Sequence, residues 1–317
     1  MEHFSTGLLL TSSQVADLLG VHVSSVKRWT NDGDLLATTT SGGHRRIHLH
    51  DALTAAKSRG IITYLDPFTP FEGHVWRAVK DAEELGDFRR VLSLAMGWLL
   101  REYPQRVGDL FVELGNRGVV PFDIFLDRGV RPFLGKVSDA VEEGRLRPAG
   151  ERLVSQILLD ALFRIRLGVP LRTGSAPTRG APVAVVGGLE GDLHDLGLVG
   201  LRVLLEREGY VVHSLGSDVP AADFPAAQRS HGAILVCIAC GTRSAGSNVQ
   251  EAIQQLAADY DPRSPFALFI AVAEGFQDVQ GAGGPFTSLA ISDSWEHLGD
   301  GVRALNHGSQ QGRKASA

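Results

Sequence analysis

The chain is poor in cysteine, with only Cys237 and Cys240 in 317 residues. Two thiols cannot staple a disulfide scaffold, so a small secreted framework is excluded and a reducing compartment is expected. No apolar run approaches the roughly 20 residues that a membrane helix needs. The opening Met1-Glu2-His3-Phe4 has neither a basic region nor a sustained apolar stretch behind it. A cytoplasmic location without a membrane partner is therefore expected. An excess of positive charge is also missing: 31 Lys and Arg face 36 Asp and Glu, for a net charge of -5. Any contact with nucleic acid must then be local. No Ser/His/Asp set, phosphate loop or carboxylate pair stands out, and the expectation is a protein that is not an enzyme.

What is present is 44% hydrophobic content, enough for two or three domains with real cores. Two breaks divide the chain. Residues 60–75, GIITYLDPFTPFEGHV, read as a linker or docking segment, and 168–182, GVPLRTGSAPTRGAP, as a flexible connector. The expected domains are 8–57, 71–168 and 182–303, with a polar, disordered tail over 304–317. The fold class is multidomain α and α/β: a winged helix-turn-helix, a helical bundle and a Rossmann-like parallel sheet.

In the first region Thr11 and Gln14 are spaced for a capping box, and Val15, Leu18 and Leu19 form an apolar stripe that ends at Gly20. Ser24 reads as the cap of a second helix, SSVKRWTNDG. Two short helices around a Gly-containing turn make a helix-turn-helix. Then Thr38-Thr39-Thr40 and Ser41-Gly42-Gly43 lead into His44, Arg45 and Arg46, a strand, a turn and a basic return strand. In this order the segments resemble the winged helix-turn-helix of the MerR family over residues 8–55. The resemblance implies dimeric binding to a two-fold double-stranded DNA operator. Ser24, Ser25, Lys27, Arg28, His44, Arg45 and Arg46 are the expected DNA contacts, mainly to phosphates.

In the third region APVAVVGG (181–188) is a short β-branched run suited to a buried parallel strand, and LVGLRVLLEREG (198–209) is helical. Apolar runs return at YVVHSLG, GAILVCIAC and PFALFIAVAEG. The alternation predicts a doubly wound sheet, with ligands at the carboxyl ends of its strands. GDLHDLG (191–197) lies on that edge. A lone loop histidine is commonly exposed or capping, but Asp192 can hold one imidazole nitrogen and free the other for a ligand. Cys237 and Cys240 form a C-x-x-C inside an apolar strand and read as buried core.

The spacing Asp192-x-His194-x-x-Gly197 resembles the lower-ligand signature of cobalamin-binding domains, which implies cobalt coordination by His194, the candidate metal ligand. The family's Leu-Gly turn falls on Leu215 and Gly216. Its Ser-x-Leu falls on Cys237-Ile238-Ala239, and its Gly-Gly on the stretch that ends at Gly275. The middle region carries four or five amphipathic helices. Behind a MerR-like head and before such a sheet, it resembles the cap of CarH/LitR-type light-sensing repressors. That family's Trp, His, Glu and His fall on Val141, Glu142, Glu151 and Arg152, and only Glu151 is kept.

These expectations converge on a DNA-binding transcriptional regulator. Its cobalamin-type domain would control the assembly of a homo-oligomer, dimer or tetramer. Two further versions stay open. In one the domain has lost cobalamin and takes a regulatory protein partner; in the other haem or another tetrapyrrole fills the same pocket. A rival of another class is a corrinoid methyltransferase or mutase subunit.

Overall fold

The computed structural model describes residues 7–118, 120–168, 181–241, 246–273 and 283–314. The chain forms two compact units, Met1–Glu113 and Leu114–Ala317. No helix among the described residues is long and apolar enough to cross a membrane.

The first unit begins with strand β1 (Leu9–Leu10) and helix α1 (Ser12–Leu19). The expected capping box forms: Gln14 N–H donates to Thr11 Oγ1 at 3.2 Å, and Thr11 N–H donates to Gln14 Oε1 at 2.9 Å. Gly20 closes the helix at φ 63°, a left-handed turn that glycine adopts without strain. Helix α2 (Val23–Asn31) follows. Its cap is His22 rather than Ser24: His22 Nδ1 accepts from the Ser24 backbone N–H at 3.2 Å. The imidazole supplies the acceptor usually provided by a hydroxyl, which moves the helix start forward. Strands β2 (Thr38–Thr39) and β3 (Arg45–His48) make the wing, and helix α3 (Leu49–Ser58) follows. The sheet order is β1-β3-β2, antiparallel, with Leu10 opposite Ile47 and Thr39 opposite Arg45. Leu10, Val15, Val26, Ile47 and Leu49 are fully buried between sheet and helices.

The segment over 60–75 is docked. Leu65 and Phe68 are buried, and the Phe68 ring stacks on Trp98 with centroids 5.7 Å apart. Helices α4 (Glu72–Leu85), α5 (Arg89–Leu99) and α6 (Pro104–Arg117) come next. The division between the units falls inside α6.

The second unit opens with the short helix α7 (Phe122–Phe125), a π-helical turn (Leu126–Val130), and helices α8 (Arg131–Glu142) and α9 (Pro148–Gly168). Strand β4 (Val183–Leu189), helix α10 (Asp195–Arg207), strand β5 (Val211–Val219), helix α11 (Asp223–His231) and strand β6 (Leu235–Cys240) follow. Helix α12 (Gly246–Ala258), strands β7 (Ala267–Val272) and β8 (Leu289–Ser292), and helix α13 (Trp295–Lys314) complete the unit. The sheet is parallel, in the order β5-β4-β6-β7-β8.

Alternate residues of the central strands feed two apolar layers. Val185, Val236, Ile238, Leu268 and Ile270 pack with Phe224 and Leu256 of α11 and α12. Ala184, Val186, Cys237 and Phe269 pack with Leu201 of α10 and Val302 of α13. Both cysteines are buried and outside any disulfide, and burial pushes the Cys237 thiol far above its ordinary pKa. Helix α13 runs over most of the stretch whose composition reads as a polar tail. Its first turns are anchored by buried Leu298 and Val302, and extending a nucleated helix costs far less than starting one.

Candidate DNA-binding groove and His194 cavity

In the first unit, α1, α2 and the wing enclose a groove of about 540 Å³. Lys27, His44, Arg45 and Arg46 line it, together with Thr11, Ser12 and Ser13 from the start of α1. Ser12 and Ser13 were not singled out from the sequence, and Thr11 only as a helix cap; the hydroxyl-rich helix start was the available signal. Lys27, Arg28 and His44 are exposed, Arg45 and Arg46 half-buried. Arg28 is not part of the groove wall, because one residue along a helix turns a side chain by about 100°. Ser24 is exposed, with its hydroxyl 2.7 Å from His22 Nδ1. Ser25 is half-buried and donates its N–H to His22 O at 2.9 Å.

In the second unit, β4 ends at the switch point of the sheet, where the chain turns outward to β5 before returning to β6. The loop after β4 carries Asp192 and His194. Asp192 is buried, at 2% exposure, whereas the His194 side chain is 66% exposed. One carboxylate oxygen of Asp192 accepts from His194 N–H at 2.9 Å and pairs with His194 Nδ1 at 2.7 Å. The other accepts from Gly241 N–H at the end of β6. A Cβ on Gly241 would lie 3.1 Å from His194 Cβ, so glycine lets the two loops meet. Fixing Nδ1 leaves Nε2 as the outward ring nitrogen, without a described partner.

That imidazole faces an apolar cavity of about 200 Å³. Leu196 and Gly197 at the start of α10, with Ala239 and Ala271 at the ends of β6 and β7, form one side; Leu126, Val130, Leu134 and Leu162 form the other. Trp295 and Arg131 complete the wall. Arg131 is held by Asp127 at 3.0 Å, and Asp127 also accepts from Glu296 N–H at 2.8 Å at the start of α13.

The structure thus gathers Asp192, His194, Gly197 and Ala239 at one place. Cys237, two residues deeper in β6, lies within the core, and Leu215 packs against the opposite apolar layer. Gly216 stands at φ 91° in β5, outside the cavity wall. Glu151 sits in the first turn of α9 and is likewise outside this wall, as are Val141, Glu142 and Arg152. Gly275 lies outside the described residues. Trp295 and Arg131 were missed from the sequence: Trp295 is about 100 residues beyond the loop it faces, and no local pattern links the two.

Among the described residues no three His, Cys, Asp or Glu side chains cluster as a metal site. A single imidazole cannot hold a bare transition metal, which takes four or more ligands. It suits a metal whose other positions a macrocycle already fills. The cavity is below the roughly 300–1,000 Å³ of drug-sized ligand pockets.

Residues 9–51 match the helix-turn-helix domain family. The dimethylamine corrinoid protein 3 of Methanosarcina acetivorans is 28% identical over 108 residues, 34% of this chain and 49% of the relative. The dimethylamine corrinoid protein 2 of Methanosarcina mazei is 26% identical over 113 residues, 36% of this chain and 51% of the relative. The chain spans about half the length of these curated relatives. Among solved structures, the monomethylamine corrinoid protein of Methanosarcina barkeri superposes with a TM-score of 0.51 at 15% identity, covering 66% of this chain and 95% of that one. At that identity the likeness shows the fold alone. The chain therefore joins a helix-turn-helix domain to a domain with the fold of a corrinoid protein.

Proposed function

We propose that this protein is a DNA-binding transcriptional regulator of the MerR-like type, whose second unit senses cobalamin held through His194. The observation that carries this reading is the pairing, in one chain, of a winged helix-turn-helix with a histidine whose Nδ1 is held by buried Asp192. The His194 imidazole would hold bound cobalamin, which would supply the metal centre. Asp192 orients the ring. Lys27, Arg28 and Arg46 supply positive charge for double-stranded DNA with His44 beside them, and a homo-oligomer would present two such heads to a two-fold site. A cytoplasmic setting suits that role.

The test is a visible-spectrum titration of the full chain with hydroxocobalamin and, separately, haemin. A shift seen with the wild type and lost in His194→Ala supports the reading, and the responding macrocycle names the cofactor. The absence of a shift with either would leave the domain as a protein-interaction module.

A second reading is a corrinoid carrier serving a methyltransferase. The corrinoid proteins among the relatives favour it; the helix-turn-helix head speaks against it. Binding of the full chain to duplex DNA separates the two.

A further inference from the structure

Arg45 stands in the wing and lines the groove, and its place in the sequence counts it among the phosphate contacts. Its guanidinium is already engaged by the end of α2. Nη1 donates to Thr30 Oγ1 at 2.8 Å and to the Lys27 carbonyl at 3.2 Å, and Nη2 donates to Asn31 Oδ1 at 2.6 Å. All three acceptors lie in the last turn and a half of α2. Thr30 Oγ1 in turn donates to the Lys27 carbonyl at 2.8 Å, so one hydroxyl bridges the arginine and the helix backbone. Arg45 is half-buried and pairs with Thr39 across the wing. The cation also lies at the carboxyl end of α2, the end whose dipole favours positive charge.

We infer that Arg45 is a positioning residue: it docks the wing onto the carboxyl end of the recognition helix and contacts no phosphate itself. This rests on the DNA-binding reading of the groove. A planar fork suits the task, because one Nη reaches the Lys27 carbonyl and the Thr30 hydroxyl while the other reaches the Asn31 amide oxygen, a spread of donors that the single nitrogen of an ammonium lacks. His44 and Arg46, either side of Arg45, and Lys27, whose carbonyl Arg45 holds, are thereby set at fixed separations around the groove. The remaining cations, Lys27, Arg28, His44 when protonated, and Arg46, carry the charge offered to DNA.

The experiment measures the affinity of the full chain for a random-sequence duplex against salt concentration. It uses wild type, Lys27→Ala, Arg45→Ala, Arg45→Lys, Asn31→Ala and the Arg45→Ala/Asn31→Ala double variant. Each lost phosphate contact lowers the salt slope by about 0.9. Lys27→Ala is expected to show that loss. Arg45→Ala is expected to weaken binding about tenfold, the equivalent of one charged hydrogen bond, with the slope unchanged. Arg45→Lys should fare no better, and the double variant should be weaker than wild type by no more than Arg45→Ala alone. Amide exchange should rise in β2 and β3 of Arg45→Ala while α4 and α5 stay protected, which separates loss of wing docking from general destabilisation.

A slope lowered by about one in Arg45→Ala and restored in Arg45→Lys would overturn the inference and make Arg45 a phosphate contact. Wild type that binds no duplex at low salt would instead overturn the DNA-binding reading, and this positioning role with it.

Discussion

Replacing Asp192 by Asn keeps the shape of the side chain and removes one acceptor. In the native loop one oxygen serves both His194 N–H and His194 Nδ1, and the other serves Gly241 N–H. An amide can keep the first oxygen only by turning its NH2 toward Gly241, donor against donor. The reverse orientation sets two donors against the NH2, so the first is adopted. The loss is one hydrogen bond to a carboxylate at a side chain only 2% exposed, about 1.5–3 kcal/mol. Urea denaturation followed by circular dichroism reads this directly. His194→Ala should cost less, because the His194 side chain is 66% exposed. The order reverses for ligand affinity: hydroxocobalamin titration should show about 10–100-fold weaker binding in Asp192→Asn, the usual effect of losing the group that orients a ligand histidine, and no coordination in His194→Ala. If Asp192→Asn were as stable as wild type and bound equally well, the account of Asp192 as the anchor of this loop would be wrong.

Further outcomes follow from other buried polar groups. Asp123→Ala removes a carboxylate only 1% exposed that pairs with Arg303 at 2.6 Å. Arg303 keeps Glu208 and Asp300, so the expected loss in urea melts is about 1.5–3 kcal/mol rather than the about 3–5 kcal/mol of an ion left unpaired. Thr11→Ala breaks the capping box of α1 and should cost about 0.5–2 kcal/mol, with Thr11→Ser near wild type. His213 stacks on His231 with ring centroids 3.7 Å apart, and burial, then the charge of His231, lowers its pKa from the ordinary 6.5. The unfolded chain then takes up a proton that the folded chain refuses, so stability falls as pH drops through 6.5 and levels off once the folded pKa is passed. His231→Gln removes the repulsion, and the urea midpoint of that variant should drop less than that of the wild type between pH 7.5 and about pH 5.5.

The loop chemistry was legible because its parts are neighbours in the chain. Asp192 and His194 are two residues apart, and the capping-box pair of α1, Thr11 and Gln14, is three apart. The alternation of apolar runs was equally local and led to the parallel sheet. What could not be read were partners from distant segments. The cap pattern directed attention to Val141, Glu142, Glu151 and Arg152, whereas the wall facing His194 takes Leu126, Val130, Arg131 and Trp295. A π-helical turn over Leu126–Val130 and the return of α13 bring these groups there. Neither feature has a signature in residue periodicity, since both depend on packing against the sheet.

Arg45 makes the same point in the head. Its charge and its place in the wing are properties of the sequence, and they support a phosphate contact. Its direction depends on Thr30 and Asn31 arriving at the end of α2 with free acceptors, which only the folded backbone arranges. The sequence by itself determined the helix-turn-helix, the doubly wound sheet and the Asp192–His194 pair, because turn chemistry and hydrophobic period act within a few residues. The tertiary structure alone decided which cation is spent inside the head and which side chains face the imidazole. Those outcomes depend on side-chain directions set by contacts between segments far apart in the chain.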